Sequence, residues 1–358
     1  MLHIERAASG ISASGWEAAH GWLARATSEG LSAGANAGLF YGAPAIAFAL
    51  HAAPWPRYAP ARRMLDEGVS VVITDRLSAA RKRLERGERP ALAEFDLISG
   101  LTGLGAHLQR HCPEHHLVGE ILSYLVRLTE PIGDLPGWWT HSPPGRTAAY
   151  PAGGHGNNGI AHGITGPLSL LALTARAGVI VPGQTEAIGR ICSWLDAWQQ
   201  DHRGSPWWPE TISLPEHQEQ RSSQEEPGRP SWCYGTPGIA RAQQLAALAI
   251  GELARQHTAE AAMVGCLNDP YQLGRVTGRG LCHGTAGLML TATVFAADAT
   301  APGDLALDRV AGLLLEESAD SDAGPGFLTG DAGYALALHA LASSALPATW
   351  WDACLLLR

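Results

Sequence analysis

A chain of 358 residues with a formal charge of −9 can bury a large core, and its acidic balance disfavours nucleic acid or any other polyanion as a partner. The one dense basic run, 81–89, alternates with apolar and acidic residues as a solvated helix face does. The start lacks the cationic flank and unbroken apolar core of a signal peptide, no stretch approaches a membrane span, and six cysteines do not make a disulfide framework in a chain this long. The expectation is a cytoplasmic protein with no integral membrane segment.

In chain order, six short motifs punctuate the sequence: Phe40-Tyr41-Gly42, Ile98-Ser99-Gly100, Ala161-His162-Gly163, Cys233-Tyr234-Gly235, Cys282-His283-Gly284 and Leu328-Thr329-Gly330. A second glycine follows at 103, 166, 238, 287 and 333, with Ala45 in its place in the first copy. Successive leading glycines are 58, 63, 72, 49 and 46 residues apart, which leaves room for two helices in every interval. The run after each motif is rich in Ala and Leu, as buried helices with close backbones require. The segments further on are amphipathic, with Leu117, Ile121, Leu125 and Leu128 in one and Ile188, Ile191, Leu195 and Trp198 in another. Strand-like alternation is scarce. Together these predict an all-α, double-layered α/α toroid, its inner helices beginning at the motifs and its outer helices covering them. Closure into a ring gives every inner helix two neighbours.

Two stretches break the pattern. Residues 131–158 carry Pro136-Gly137-Trp138-Trp139, Pro143-Pro144 and a glycine cluster, and residues 203–230 carry Trp207-Trp208-Pro209 followed by a polar segment. Both are expected to be loop insertions in a single domain spanning 1–358, and to serve as lids, since each leads directly into a motif.

Equivalent positions of successive repeats in a ring face one axis at one height, so equivalence in sequence becomes proximity in space. Cys233 and Cys282 share one register, two residues before the leading glycine, and His162 and His283 share the next. Two thiolates and an imidazole suit zinc, which takes S and N donors tetrahedrally, and three protein ligands leave a fourth position open. Adjacent Cys282 and His283 can share a metal at an irregular turn, though not inside a regular helix, where they would point about 100° apart. A site already neutralised by two cysteinates keeps a third, bound thiolate nucleophilic. Addition of that thiolate to an alkene conjugated to a carbonyl generates an enolate that needs a proton. His162 is the candidate acid, with Asp96 and Arg229 to orient or stabilise.

The residues 159–168, 231–240, 281–288 and 326–333, extended by Asp96-Leu97-Ile98-Ser99-Gly100 and Gly38-Leu39-Phe40-Tyr41-Gly42, resemble the motifs of the lantibiotic (lanthipeptide) cyclase family, the LanC-like proteins. The resemblance runs over nearly the whole chain. It implies about seven inner and seven outer helices, one catalytic zinc on Cys233, Cys282 and His283, and thioether closure by peptide cysteines onto dehydroalanine or dehydrobutyrine. It further implies His162 as the proton-transfer residue, Asp96 as the motif aspartate, and Arg229 and Tyr234 as residues flanking the first cysteine, with Trp232 lining the cavity. The implied partners are a dehydrated precursor peptide, a dehydratase and an export transporter, which would allow peripheral association with a membrane complex. The motif search finds six copies, so the seventh inner helix is sought in 349–358 or in a helix without a motif.

Simpler readings stand beside these. Cys112, Cys192, Cys266 and Cys354 read as small buried hydrophobes, and His141, His155 and the His111, His115, His116 group as solvated loop residues. Asp96 can serve as a helix cap and Arg229 can sit in solvent. Two other functions use the same residues: transfer of glutathione or another small thiol to dehydroamino acids, and a zinc-stabilised scaffold that does no chemistry.

Overall fold

The computed structural model describes residues 1–12, 14–53, 55–143, 151–316, 324–343 and 345–358. What makes the motif recur is a contact six residues long. A Cβ placed on the second glycine would lie 2.1 Å from the Leu97 carbonyl oxygen at Gly103, 2.1 Å from that of Trp232 at Gly238, 1.9 Å from that of Leu281 at Gly287 and 2.0 Å from that of Phe327 at Gly333. Each loop therefore folds back and seats a carbonyl on the first turn of the helix it precedes, a spacing only glycine permits. The leading glycine turns the chain, and at Gly235 it does so with φ +121, a conformation side chains disfavour.

The helices follow in pairs. After α1 (Leu2–Ala8) and α2 (Gly15–Ala26) come the first inner helix α3 (Ala43–Ala52) and the long outer helix α4 (Ala59–Glu85). A single turn, α5 (Leu92–Phe95), leads to inner α6 (Leu101–His111) and outer α7 (His116–Leu128). Inner α8 (Thr165–Arg176) and outer α9 (Gln184–Ala197) are followed, past the short α10 (Leu214–Glu219), by inner α11 (Thr236–Ile250) and outer α12 (Leu253–Asn268). The short α13 (Pro270–Leu273) precedes inner α14 (Thr285–Ala297), outer α15 (Leu307–Glu316) and inner α16 (Asp331–Ser343).

Burial separates the layers as the composition predicts. Every residue of α8 from Thr165 to Thr174 is buried, whereas α4 buries only a stripe that includes Val69, Val72, Ile73, Leu77 and Ala80. The inner helices α3, α6, α8, α11, α14 and α16 pack in succession, and the first five are each backed by an outer partner. Between the last and the first, α1 packs on α16 and places Ile4 in a cluster with Leu50 of α3, while Phe40 and Phe327 meet at 6.3 Å between ring centres. The result is the double-layered α/α toroid.

Six inner helices, one per motif, are present among the described residues. Residues 349–358, considered for a seventh, instead form a 3-10 turn (Trp351–Leu355) at the centre of the ring. Leu355 O accepts from Trp232 Nε1 at 2.9 Å, Leu357 O accepts from Arg241 Nε at 2.8 Å, and Trp351 packs on Phe327 at 5.8 Å. One segment can reach α6, α11 and the loop before α16 only from inside. The indole and guanidinium donors there satisfy carbonyls that no helix pairs. Glu5 of α1 holds the start of this segment, accepting from the backbone of Ala348 and Thr349 and from the Thr349 hydroxyl.

The two irregular stretches pair with each other. Strand β1 (His155–Asn157) runs antiparallel to β4 (Thr211–Ser213), and β2 (Gln200–His202) forms a hairpin with β3 (Ser205–Trp207). Trp139, Trp194 and Trp208 are buried against this shoulder, their indole N–H groups donating to Gly153 O, Asn158 Oδ1 and Leu195 O. These strands and indoles pack on the toroid, whereas α10 in the second stretch buries none of its residues; the 144–150 part of the first stretch lies outside the described residues.

Candidate metal centre and active site

The seated carbonyls place the two residues that follow them at one end of the ring, and backbone hydrogen bonds stitch neighbouring loops together. Leu97 N donates to Ala161 O, Ile160 N to Cys233 O, Cys233 N to Cys282 O and Cys282 N to Leu328 O. The bond from Cys233 to Cys282, at 3.1 Å, sets these two positions side by side, as their common register requires. His283 follows Cys282 into an irregular turn ahead of α14, and the donor atoms of Cys233, Cys282 and His283 lie within 4.8 Å of one another.

The protonation of the pair tests what the three residues can hold. Cys282 donates to Cys233, which draws the Cys233 thiol down to about 5 and, with burial, pushes the Cys282 thiol well up. His283 and the Ser231 hydroxyl, 3.8 Å from the Cys233 sulfur, also favour the Cys233 thiolate. Two thiols in contact, one buried and one half-buried, thus divide into one thiolate and one thiol, and a cation between them is what permits both to ionise. The S, S, N donor set is the kind zinc takes.

Asp96 and His162 form a second unit on the neighbouring loops. Asp96 is 2% exposed; its Oδ1 accepts from Ser99 N at 2.7 Å and Gly100 N at 2.8 Å, and its Oδ2 lies 2.6 Å from His162 Nδ1. The loop cap and the histidine contact are thus both made by one carboxylate. His162 is 38% exposed on its side chain, so the edge bearing Nε2 faces away from Asp96 and remains accessible. The Tyr234 ring sits 6.4 Å from the His162 ring, its hydroxyl accepting from Asn157 Nδ2 at 2.8 Å. Burial pushes that phenol up, so it stays protonated with its own hydrogen available to a ligand. Trp232 is fully buried and turned toward Leu355, so it serves the core of the ring rather than an open cavity. Arg229, four residues before Cys233, has a buried Nε with no hydrogen-bond partner among the described residues, and its charge partly offsets the burial that raises both the Cys282 thiol and the Glu210 carboxyl.

The family model described as lanthionine synthetase C-like protein matches residues 12–356. The chain belongs to the lanthionine synthetase C-like family. Within 275 aligned residues it is 26% identical to the nisin biosynthesis protein NisC of Lactococcus lactis subsp. lactis, a match covering 74% of this chain and 64% of that protein. A solved structure of nisin cyclase superposes with a TM-score of 0.82 over 99% of this chain and 89% of that one, at 22% identity, a likeness of fold.

In this lanthionine synthetase C-like chain, the six motifs bring together Cys233, Cys282 and His283, and separately Asp96, His162 and Tyr234, all on one ring of loops. Motif reading missed Asn157, which positions the Tyr234 hydroxyl, and Ser231, which holds the Cys233 turn by accepting from Tyr234 N. The signal for Ser231 was present: it occupies the same place relative to its glycine as Asp96 does, and performs the same turn-capping task. Glu210 was missed as well; burial pushes its carboxyl up, and Cys233 adds to the rise. Among the histidines assigned to solvent, His155 is buried on β1 and His111 packs against Phe48 at 4.9 Å, because the stretches that carry them fold onto the toroid. No helix among the described residues is long and apolar enough to cross a membrane.

Proposed function

We propose that this chain is a zinc-dependent lanthionine and methyllanthionine cyclase, adding cysteine thiols of a dehydrated precursor peptide to dehydroalanine or dehydrobutyrine. The observation that carries the reading is the juxtaposition, on one ring of loops, of a three-donor S, S, N cluster and a histidine oriented by a buried carboxylate. Cys233, Cys282 and His283 would hold zinc, which supplies a position where a substrate thiol is bound as the thiolate. Sulfur then bonds to the alkene β-carbon, the π electrons move onto the carbonyl as an enolate, and the α-carbon takes a proton.

Asp96 fixes the His162 ring by its Nδ1, leaving Nε2 to deliver that proton. The Tyr234 phenol, already accepting from Asn157, can donate to the substrate carbonyl oxygen as charge grows there. Arg229, with an unpartnered guanidinium nitrogen beside the thiol pair, offers a second donor for that oxygen. The substrate must already carry dehydroamino acids, so a dehydratase acts earlier on the same peptide; the dehydratase and an export transporter are its proposed partners.

Cyclisation leaves the mass unchanged, so the test counts alkylatable thiols. Incubation with a matched dehydrated, Cys-containing peptide should remove one thiol per ring formed without adding mass. No decrease would refute the reading. An adduct carrying the mass of added glutathione would reveal the small-thiol transferase instead, and product formation undiminished in His162→Ala would favour the non-catalytic scaffold.

A further inference from the structure

A second group of ligand-type side chains lies outside the motif loops, where α3, α4 and α6 meet. His51 near the end of α3, Asp66 on α4 and Cys112 at the C-terminal cap of α6 each bring a donor atom within 4.8 Å of the others. His51 Nε2 is 2.8 Å from Asp66 Oδ1. Two more imidazoles, His107 and His111, stand one turn apart on the same face of α6. The His51 ring stacks on His111 at 4.9 Å and meets His107 at 5.6 Å, so three histidines share one small space.

The hydrogen bonding of this cluster is incomplete in a specific way. His107 is fully buried, and neither of its ring nitrogens has a partner among the described residues; nor does Nε2 of His111. Buried polar atoms are rarely left so, and three orphaned imidazole nitrogens in one place point to a missing ligand. A water could serve one of them. An ion held beside them by His51, Asp66 and Cys112 would take one as a further donor.

We propose that this cluster is a second zinc-class metal site, with His51, Asp66 and Cys112 as ligands and an imidazole of His107 or His111 as the fourth. Nitrogen, sulfur and one carboxylate oxygen favour Zn2+ or Co2+; Mg2+ and Ca2+ prefer oxygen donors throughout. One thiolate and one carboxylate neutralise a divalent ion at this half-buried place between the helices. With four protein donors no position is left for substrate, so the role is structural. The ion would tie the first inner helix to its outer partner and to the next inner helix, at the start of the ring.

Metal content of the intact chain, measured after loading with zinc and removal of excess by gel filtration, tests the assignment. Two equivalents are expected in the wild type, one in Cys282→Ala, and one each in His51→Gln and Asp66→Asn. Cobalt gives a second readout: a Cys233→Ala/Cys282→Ala protein should retain a thiolate-to-cobalt charge-transfer band, and adding Cys112→Ser should abolish it. If Cys112→Ser does not fold, the equivalents held by wild type, Cys282→Ala, His51→Gln and Asp66→Asn decide together. A wild type holding one equivalent, lost altogether in Cys282→Ala, overturns the proposal and leaves buried water as the partner of these imidazoles. A second equivalent that persists in His51→Gln and Asp66→Asn overturns it too, by placing the ion elsewhere. Neither outcome depends on cyclase activity.

Discussion

The fifth and sixth motif loops are nearly the same piece of backbone with different contents. Both seat a carbonyl on the second glycine, at 1.9 Å from a Cβ on Gly287 and 2.0 Å from one on Gly333. Both join the same circuit, through the bond from Cys282 N to Leu328 O. Yet one presents Cys282 and His283 and the other Leu328 and Thr329. The loop scaffold is therefore indifferent to chemistry, and two side chains per copy decide whether that part of the ring can bind a metal or move a proton.

Substitution at matched positions can break this comparison. The largest expected effect is at Cys282→Ala, which should lose the metal held with Cys233 and His283 and reduce product to background, while Leu328→Ala at the equivalent position keeps both; zinc content and thiol counts measure this. Next, His162→Ala should lower the cyclisation rate by roughly 10²- to 10⁴-fold, the usual contribution of a positioned proton donor. Thr329→Ala, in the same register, should leave the rate unchanged. Gly287→Ala and Gly333→Ala should each cost about 3 kcal/mol by forcing a methyl group onto a carbonyl, and denaturant unfolding should find the two alike. A large difference between them would mean that the loops are not equivalent scaffolds.

The smallest effect concerns the shoulder beside the motif loops. Burial lowers His155 to about 4, with His141 adding to the fall, so the unfolded chain takes up this proton first. The associated stability is fully present above the unfolded value of about 6.5 and is lost as the pH falls from there toward 4, by at most about 3 kcal/mol. His155→Gln should flatten that part of the pH–stability profile and leave neutral-pH stability little changed. An unchanged profile would show that His155 is not held neutral in the fold.

Much of the toroid was legible because its signals are local. The glycine contact spans six residues, and the amphipathic outer helices repeat every three or four. The same register brought Cys233, Cys282 and His283 to notice. Asp96 was read as either a cap or a catalytic partner, and its two oxygens perform the capping and the His162 contact at once. Asn157 was not legible, since its partner Tyr234 lies 77 residues away on the next loop. Nor was the cluster around His51: of its histidines only His111 was weighed, as a solvated loop residue, and packing of α3 against α6 brings the three together.

By itself, then, the sequence determined the repeat, the two layers and the register that aligns the zinc-type donors, all consequences of contacts within one turn or loop. Tertiary structure decided the rest. Residues 349–358 are held by contacts such as Trp232 Nε1 to Leu355 O, 123 residues apart, which only the closed toroid brings together. The two irregular stretches became a packed shoulder because their strands found each other across the intervening helices α8 and α9. Partners this distant in the chain leave no periodic trace, since their contact depends on how the whole ring closes rather than on any local preference.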